Sequence, residues 1–399
     1  MTFDGPGADA GVHLLGLLRE PAGESNSDVD APWPELDRIA RQHRLRPWLH
    51  ARYQQSGCRW DVPAGFAVQW AEAHRRSALR ALGQRAELRR LGRLLSGAGI
   101  RVTALKGAGY LWRGWIDPAL RPMRDLDIIV EPGRAMTAYT LLRQAGFTGS
   151  DATLRPGQKH LPGLTAPASG VQVEIHVRLI DAPTPGWEQR DTAFCRVALA
   201  RARANTSNDG VDTLTPTDML LHVIAHGALD HHFNNGPLFM LDVVTLIRHG
   251  NIEWPAFWTD AKTLGCTRAC QLALRMTEAF DPAASIGWGG HRPAGLAEST
   301  VMNAAALMLV DLERRTELGA AGQIVRLDML KHPARLVRLV RRAGATPASQ
   351  TAARHEPAPG ARTGLLQRLV AQVSVLLNAR HRQHVRRSVE VARWLREGR

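Results

Sequence analysis

Hydrophobic and polar positions change their spacing along the chain, and each change predicts a different secondary structure. From Trp33 onward, apolar residues recur every three or four positions, which is typical of an amphipathic helix. A second, longer helix is predicted over 64–96, with arginines on its solvent face. The spacing shortens to two in the middle of the chain and becomes helical again from Pro216 to about Leu330. Strands are therefore expected between two helical parts.

The middle of the chain predicts three strands separated by short helices and glycine-rich turns. GIRVTALKG (99–107) predicts a strand that ends at glycine, and DLDIIVE (125–131) predicts a second strand bounded by proline. GVQVEIHVRLI (170–180) alternates apolar with polar residues, which indicates a strand with one polar face. AGYLWRGW and GRAMTAYTLLRQAGF predict the intervening helices. Residues 99–182 thus form a small α/β unit.

These patterns divide the chain into six predicted segments. They are a flexible N-terminal segment at 1–32, N-terminal helices at 33–98, the α/β unit at 99–182, a helical domain at 183–342, a linker or mobile loop at 343–363 and basic C-terminal helices at 364–399. The C-terminal helices are rich in arginine, and their role stays open between a solvated face, phosphate-backbone binding and a membrane-surface helix.

Composition adds a strong positive charge to this picture. The formal net charge is +14, which creates a field that attracts phosphates, nucleic acid or anionic lipid. Four cysteines in 399 residues do not make a disulfide framework. The N-terminal residues lack the basic region of a signal peptide, and no stretch reaches the ~18 apolar residues of a membrane span. We expect a soluble, cytoplasmic protein with no transmembrane segment.

Three carboxylates fall on the predicted strands. Asp125 and Asp127 are two residues apart, so a strand points both side chains to the same face, ~7 Å apart. Such a pair repels unless it is neutralised, and Mg²⁺ is typically held by one or two carboxylates plus phosphate oxygens of a substrate. Glu174, on the polar face of the later strand, would join them if the two strands pair. We predict a catalytic and metal-binding triad for Mg²⁺ or Mn²⁺.

Phosphate groups need donors, and the turn after the first predicted strand supplies them. The glycines of LKGAG would let main-chain N–H groups approach a triphosphate closely. Lys106 lies at this turn, and Arg121 and Arg124 precede the two aspartates. These three side chains supply positive charge that could bind phosphates or pair with the carboxylates.

The order of strand, glycine turn, helix, Asp-x-Asp strand, helix and carboxylate strand resembles the nucleotidyltransferase superfamily, which has a polymerase-β-like fold. The phrases LKGAGYLW, RPMRDLDIIV, LLRQAGF and VEIHVRL resemble a bacterial group of uncharacterised nucleotidyltransferases, over roughly residues 33–280. The resemblance implies an α+β fold. In it, a small mixed-sheet nucleotidyltransferase core is flanked by N-terminal helices and a C-terminal helical domain.

The resemblance also implies roles for single residues. The metal-binding and catalytic carboxylates would be Asp125, Asp127 and Glu174, and the nucleotide-side positions would be Lys106, Gly107 and Arg121. The usual glycine–serine turn of the superfamily is Gly-Ala-Gly here, which removes one phosphate-side hydroxyl.

Histidines and one further aspartate complete the candidate residues. By the resemblance, His226 and Asp242 match recurring positions of the helical domain, and we expect them to pair with each other or to face the cleft. His160, in the loop GQKHLPGL, is a further cleft candidate. We expect His176 to point to the opposite strand face from Glu174 and to act as a structural partner.

The predicted function is Mg²⁺-dependent transfer of a nucleoside monophosphate from a nucleoside triphosphate, ATP as the first choice, with release of pyrophosphate. The acceptor is unidentified and could be a small molecule, a peptide or protein, or RNA. Two alternatives stay open. One is kinase-like phosphoryl transfer at the same metal site, and the other is a non-enzymatic, basic nucleic-acid-binding protein on the same fold.

Overall fold

The computed structural model describes most of the chain. The described residues are 8–19, 31–131, 133–155, 158–180, 186–203, 210–309 and 379–396. The predicted linker at 343–363, and the part of the predicted C-terminal helices at 364–378, lie outside the described residues.

In the described part of the chain, four helices precede the first strand. They are α1 (Ala8–Leu18), α2 (Trp33–Gln42), α3 (Arg46–Gln55) and α4 (Ala64–Ser96). The predicted long helix is confirmed at both of its ends. The prediction that 1–32 is a flexible segment is wrong for residues 8–18, because the apolar residues of α1 recur at helical spacing and bury Leu14 and Leu18 completely in the core.

The α/β unit that follows contains a mixed sheet. Its elements are β1 (Val102–Ala104), α5 (Lys106–Arg113), a 3₁₀ turn (Pro118–Leu120), β2 (Asp125–Ile129), α6 (Ala135–Gln144), β3 (Leu164–Thr165), β4 (Gln172–His176), α7 (Trp187–Arg203) and β5 (Val211–Thr213). The strand order is β3-β4-β2-β1-β5. β4 runs parallel to β2 and β5 parallel to β1, whereas β1–β2 and β3–β4 are antiparallel pairs.

The three predicted strands are confirmed as β1, β2 and β4, in shorter form. β5 was not predicted, and it lies inside the stretch 183–342 that was expected to be a helical domain. Its central residue is Asp212, a type depleted in strands, and burial of this carboxylate is compensated by two hydrogen bonds from Arg101 at 2.8 and 2.5 Å. The chain therefore returns to the sheet once before the helical part begins.

The helical part packs beyond β5. It comprises α8 (Pro216–Ala225), a π-helical turn (His226–Asp230), α9 (Leu238–His249), α10 (Trp254–Leu264), α11 (Thr267–Phe280), α12 (Glu298–Met308) and α13 (Ala379–Arg396). Thr215 caps α8 by accepting a hydrogen bond from the N–H of Asp218. The α+β class is thus confirmed. Among the described helices, none is both long and apolar enough to cross a bilayer.

Asp37 ties the N-terminal helices together. Its carboxylate is buried on α2 and accepts hydrogen bonds from Arg46 of α3, at 2.9 and 2.5 Å, and from the indole N–H of Trp70 of α4, at 2.9 Å. A buried carboxylate with charge-assisted partners on two other helices fixes the angles between them. The loop between α2 and α3 is thereby held at a set distance from α4.

We predict that Asp37→Ala lowers the free energy of unfolding by about 3 kcal/mol, because it leaves the Arg46 guanidinium without its buried partner. Urea unfolding followed by circular dichroism measures the effect. Asp61→Ala, at an exposed position, is the control and should change stability little. Equal stabilities of the two variants would contradict this role of Asp37.

Candidate active site

A cavity of about 480 Å³ lies where the sheet, the α2–α3 loop and the helical part meet. All ten residues singled out from the sequence line it: Lys106, Gly107, Arg121, Arg124, Asp125, Asp127, His160, Glu174, His226 and Asp242. The lining also includes residues that sequence reasoning missed or set aside, namely Arg44, Lys159, His176, Asp230 and His231. The cavity therefore collects side chains that are far apart in the sequence.

The parallel pairing of β2 with β4 brings the carboxylates together. Asp127 lies opposite Glu174 in this register, and Ile129 lies opposite His176. Ligand atoms of Asp127, Glu174 and His176 all lie within 4.8 Å of one another. Asp125, one strand repeat before Asp127, lines the same cavity but lies outside this compact group. The compact group thus contains a histidine where the sequence predicted a third carboxylate.

The expectation that His176 points away from Glu174 is wrong. Residues two apart in a strand share a face, so His176 lies on the carboxylate side of β4. Its Nε2 is 2.7 Å from Oδ1 of Asp127, and its Nδ1 is 3.3 Å from the carbonyl oxygen of Arg178. Burial lowers the pKa of His176 to about 4, so the ring is neutral at neutral pH.

Lys106 is ion-paired with one of these carboxylates. Its Nζ lies 3.0 Å from Oδ2 of Asp127. Burial alone would raise the pKa of Asp127, but Lys106 and the hydrogen bond from His176 outweigh burial and hold that pKa well below its usual range. Lys106 also adopts a positive φ of 44°, which a non-glycine residue rarely does.

The other two carboxylates are not neutralised in this way. Burial, followed by repulsion from Asp127, raises the pKa of Asp125. Burial is also the main cause that raises the pKa of Glu174, and the charges of Asp127 and Asp125 add to it against the opposing charge of His160. His160 Nδ1 lies 3.8 Å from Oε2 of Glu174. Negative charge is therefore in excess at this end of the cavity.

The donor set fits a divalent cation. Carboxylate oxygens are the ligands that Mg²⁺ and Mn²⁺ prefer, and Asp127 and Glu174 supply them side by side. A metal-bound histidine commonly donates its other ring N–H to a main-chain carbonyl, the position that Arg178 occupies beside His176. In the metal-free protein a proton lies between His176 Nε2 and the carboxylate oxygen of Asp127, which are 2.7 Å apart. With a cation bound, this proton would move to Nδ1, which faces the carbonyl oxygen of Arg178 at 3.3 Å.

The glycine turn and the arginines form the side of the cavity next to α5. A Cβ atom on Gly107 would lie 2.4 Å from the sulfur of Met123 and 3.7 Å from the guanidinium carbon of Arg121, so only glycine fits under them. Arg121 donates two hydrogen bonds to the buried carboxylate of Asp242, at 2.7 and 2.9 Å. Asp242 therefore pairs with Arg121 and not with His226, and of the two expected arrangements the structure has the second, in which both residues face the cavity.

A second polar network lines the cavity where it borders the helical part. Lys159 donates hydrogen bonds to Asp230 and to Nδ1 of His226, the latter at 2.8 Å. His226 Nε2 is 3.1 Å from Nε2 of His231. Burial, and then the charges of Lys106 and Lys159, hold the pKa of His226 well below its usual range, so its ring is neutral. The π-helical turn carries both His226 and Asp230, and such turns are frequent at functional sites.

The family comparison agrees with this geometry. A family described as uncharacterised nucleotidyltransferase matches residues 30–281, more than half of the 399 residues. The chain belongs to this family. The resemblance inferred over 33–280 is thereby confirmed, and the match supports a transferase role for the protein. Comparison with curated proteins and with solved structures found no match.

The cavity residues that were missed differ in the signal they left in the sequence. His176 was detectable, because the strand period places it beside Glu174. Arg44 and Lys159 left no comparable signal. Arg44 lies in the loop between α2 and α3, and Lys159 in a loop before β4, so only the packing of distant segments brings them to the carboxylates.

Replacement of Asp125 or of Asp127 by asparagine should change the stability of the metal-free protein in opposite directions. The pKa of Asp125 is raised, so its contribution to stability is present below its ordinary pKa and is lost as pH rises through the raised value. Asp125→Asn should therefore raise stability at pH 7. The pKa of Asp127 is lowered, so its contribution is present at pH 7 and is lost on acidification. Asp127→Asn should lower stability by about 2 kcal/mol, because Lys106 loses its partner.

Thermal and urea unfolding with EDTA at pH 7 and at pH 4 measure this difference. The advantage of Asp125→Asn over the wild type should shrink at the lower pH, because the raised pKa of the wild-type carboxyl group favours its protonation there. Asp151→Asn, at an exposed position, serves as the control. Equal and same-signed effects of the two active-site variants would contradict the electrostatic description of the site.

Proposed function

We propose that this chain is a metal-dependent nucleotidyltransferase that moves a nucleoside monophosphate from a nucleoside triphosphate to an acceptor hydroxyl. The observation that carries the proposal is the register of β2 with β4, which sets Asp127 beside Glu174 and His176. These three residues would hold a divalent cation, Mg²⁺ or Mn²⁺, with Asp125 next to them. When bound, the cation would neutralise phosphate charge and lower the pKa of the acceptor hydroxyl.

Glu174 is the proposed proton acceptor. It is the better candidate because the carboxylate of Asp127 is already paired with Lys106 at 3.0 Å and with His176 at 2.7 Å. The acceptor oxygen would attack the α-phosphorus, and the bond from that phosphorus to the oxygen bridging the β-phosphate would break. Pyrophosphate then leaves, and the proton of the acceptor hydroxyl moves to Glu174.

The remaining walls of the cavity would position the two substrates. Lys106, Gly107, Arg121 and Arg124 lie on the side proposed for the triphosphate, with ATP as the first nucleotide to test. The network of Lys159, Asp230, His226 and His231 lies on the helical side, proposed for the acceptor. Its fixed donors and acceptors would orient a hydroxyl of a small molecule, a peptide or protein, or RNA.

Nucleotide binding is tested by thermal shift with ATP, GTP, CTP and UTP, each with Mg²⁺ or Mn²⁺. A nucleotide at a hundredfold excess over its Kd should raise the free energy of unfolding by about 2.7 kcal/mol in the wild type. Glu174→Gln should lose most of the metal-dependent shift, because it removes one charged ligand atom from the compact group. Asp151→Asn should behave as the wild type.

The reaction type is tested with radiolabelled nucleotide and a cell extract as the source of acceptor. Label in the α-phosphate should appear on the acceptor, with unlabelled pyrophosphate released, and label in the γ-phosphate should not. Transfer of γ-label with release of a nucleoside diphosphate would replace the proposal by the kinase-like alternative. Salt-sensitive nucleic-acid binding that survives Glu174→Gln, with no nucleotide shift, would favour the non-enzymatic alternative.

A further inference from the structure

Arg44 occupies a backbone position that normally requires glycine. It follows α2 with a φ of 60°, and the N–H of Leu45 donates to the carbonyl oxygen of Ala40 at 2.7 Å. The N–H of Arg44 itself donates to the carbonyl oxygen of Arg41 at 3.2 Å. These two bonds define the Schellman ending of a helix, in which the left-handed residue is usually glycine because a Cβ atom is strained there. The chain instead has a long cationic side chain at this point.

The side chain of Arg44 enters the active-site cavity. It lines the cavity together with Arg121 and Arg124, and its guanidinium donates to the main-chain carbonyl of Pro122 at 3.2 Å. Burial and the like charges of Arg121 and Arg124 lower the pKa of Arg44 to about 10, and attraction to Asp125 and Asp242 does not offset them. Three guanidinium groups are therefore crowded at one end of the cavity, an arrangement that a polyanion would relieve.

The charges around Arg44 define which part of a nucleotide would lie there. The carboxylate of Asp125 attracts Arg44, whereas Oε2 of Glu174 lies 3.8 Å from Nδ1 of His160. In a phosphoryl-type displacement the attacking and leaving oxygens lie roughly in line on opposite sides of the phosphorus. If Glu174 deprotonates the acceptor, the leaving pyrophosphate therefore lies at the end of the cavity lined by Arg44, Arg121 and Arg124, the arginine end.

We infer that Arg44 is a binding residue for the β- and γ-phosphates of the nucleotide, and for the pyrophosphate product, supplied to the catalytic core by the N-terminal helices. The inference rests on the proposed function and extends it, because it makes the α2–α3 loop a part of the substrate site. Arg121 is already paired with Asp242, so Arg44 and Arg124 supply the positive charge that is left for the leaving group.

The backbone conformation of Arg44 makes the inference separable from a merely structural role. Glycine fits the left-handed position better than any other residue, so Arg44→Gly should leave the helix ending intact. Its Tm without ligand should equal or exceed that of the wild type, and should exceed that of Arg44→Gln. If Arg44 served mainly to hold the loop at Pro122, both variants would lose stability.

Isothermal titration calorimetry with pyrophosphate and with inorganic tripolyphosphate, each with Mg²⁺, tests the inference without knowledge of the base or the acceptor. Arg44→Gly and Arg44→Gln should bind both probes more weakly than the wild type by about tenfold or more. Arg44→Lys should recover part of the affinity, because it keeps the charge but not the bidentate geometry. Arg80→Gln removes the same charge at an exposed position of α4 and should bind as the wild type.

The outcomes separate the inference from the proposed function. Wild-type affinity in the Arg44 variants would overturn the inference and leave the proposed function standing. The same holds if the wild type binds nucleoside triphosphates but not pyrophosphate, or if Arg44→Gly loses affinity only together with a large fall in Tm. A folded wild type that binds neither pyrophosphate nor any nucleoside triphosphate with Mg²⁺ or Mn²⁺ would overturn both.

Discussion

The parallel pairing of β2 with β4 is the constraint on which the candidate site depends. Alternate side chains of a strand point to the same face, so the register of this pair determines which residues face the cavity together. It sets Asp127 beside Glu174 and adds His176 one repeat further on, while Leu126 and Ile175 point into the core on the other face. A shift of register by one residue would bury the carboxylates and expose the core, so the packing of the sheet protects the site geometry.

The cavity combines satisfied ion pairs with unsatisfied charge. Lys106 pairs with Asp127 within the α/β unit, and the pairs of Arg121 with Asp242 and of Lys159 with Asp230 connect this unit to the helical part. The charged groups outside these pairs come from different elements. Asp125 and Glu174 lie on the strands, and the guanidinium group of Arg44 comes from the α2–α3 loop. A site with this division suits a ligand that combines a cation with a polyphosphate, which is the form in which nucleotides react.

The sequence predicted the elements that carry a local signal, and missed those that tertiary packing creates. The alternation in β4 and the Asp-x-Asp of β2 predicted two strands and the carboxylates on them, and the structure shows that these strands pair. β5 is three residues long and contains the buried Asp212, so neither its length nor its composition indicates a strand. Arg44 and Lys159 lie in loops, where no periodicity indicates which way a side chain points.

The α2–α3 loop contributes Arg44, a residue that the sequence did not indicate, to the cavity. The ion pair between Asp37 and Arg46 and the indole of Trp70 fix the N-terminal helices, and the loop they hold delivers Arg44 to the cavity. A site built on a short Asp-x-Asp motif is in this way completed by a helix ending more than 80 residues earlier in the chain. The structural helices and the chemistry of the site are parts of one arrangement.

The most direct test of the account is the position of a bound metal ion. A crystal of the wild-type protein soaked with Mn²⁺ and a non-hydrolysable nucleoside triphosphate would be measured for anomalous scattering. The account predicts a peak bonded to Asp127 and Glu174, with the triphosphate directed toward the arginine end of the cavity. Nucleotide bound elsewhere on the protein, or a peak that avoids both carboxylates, would contradict it.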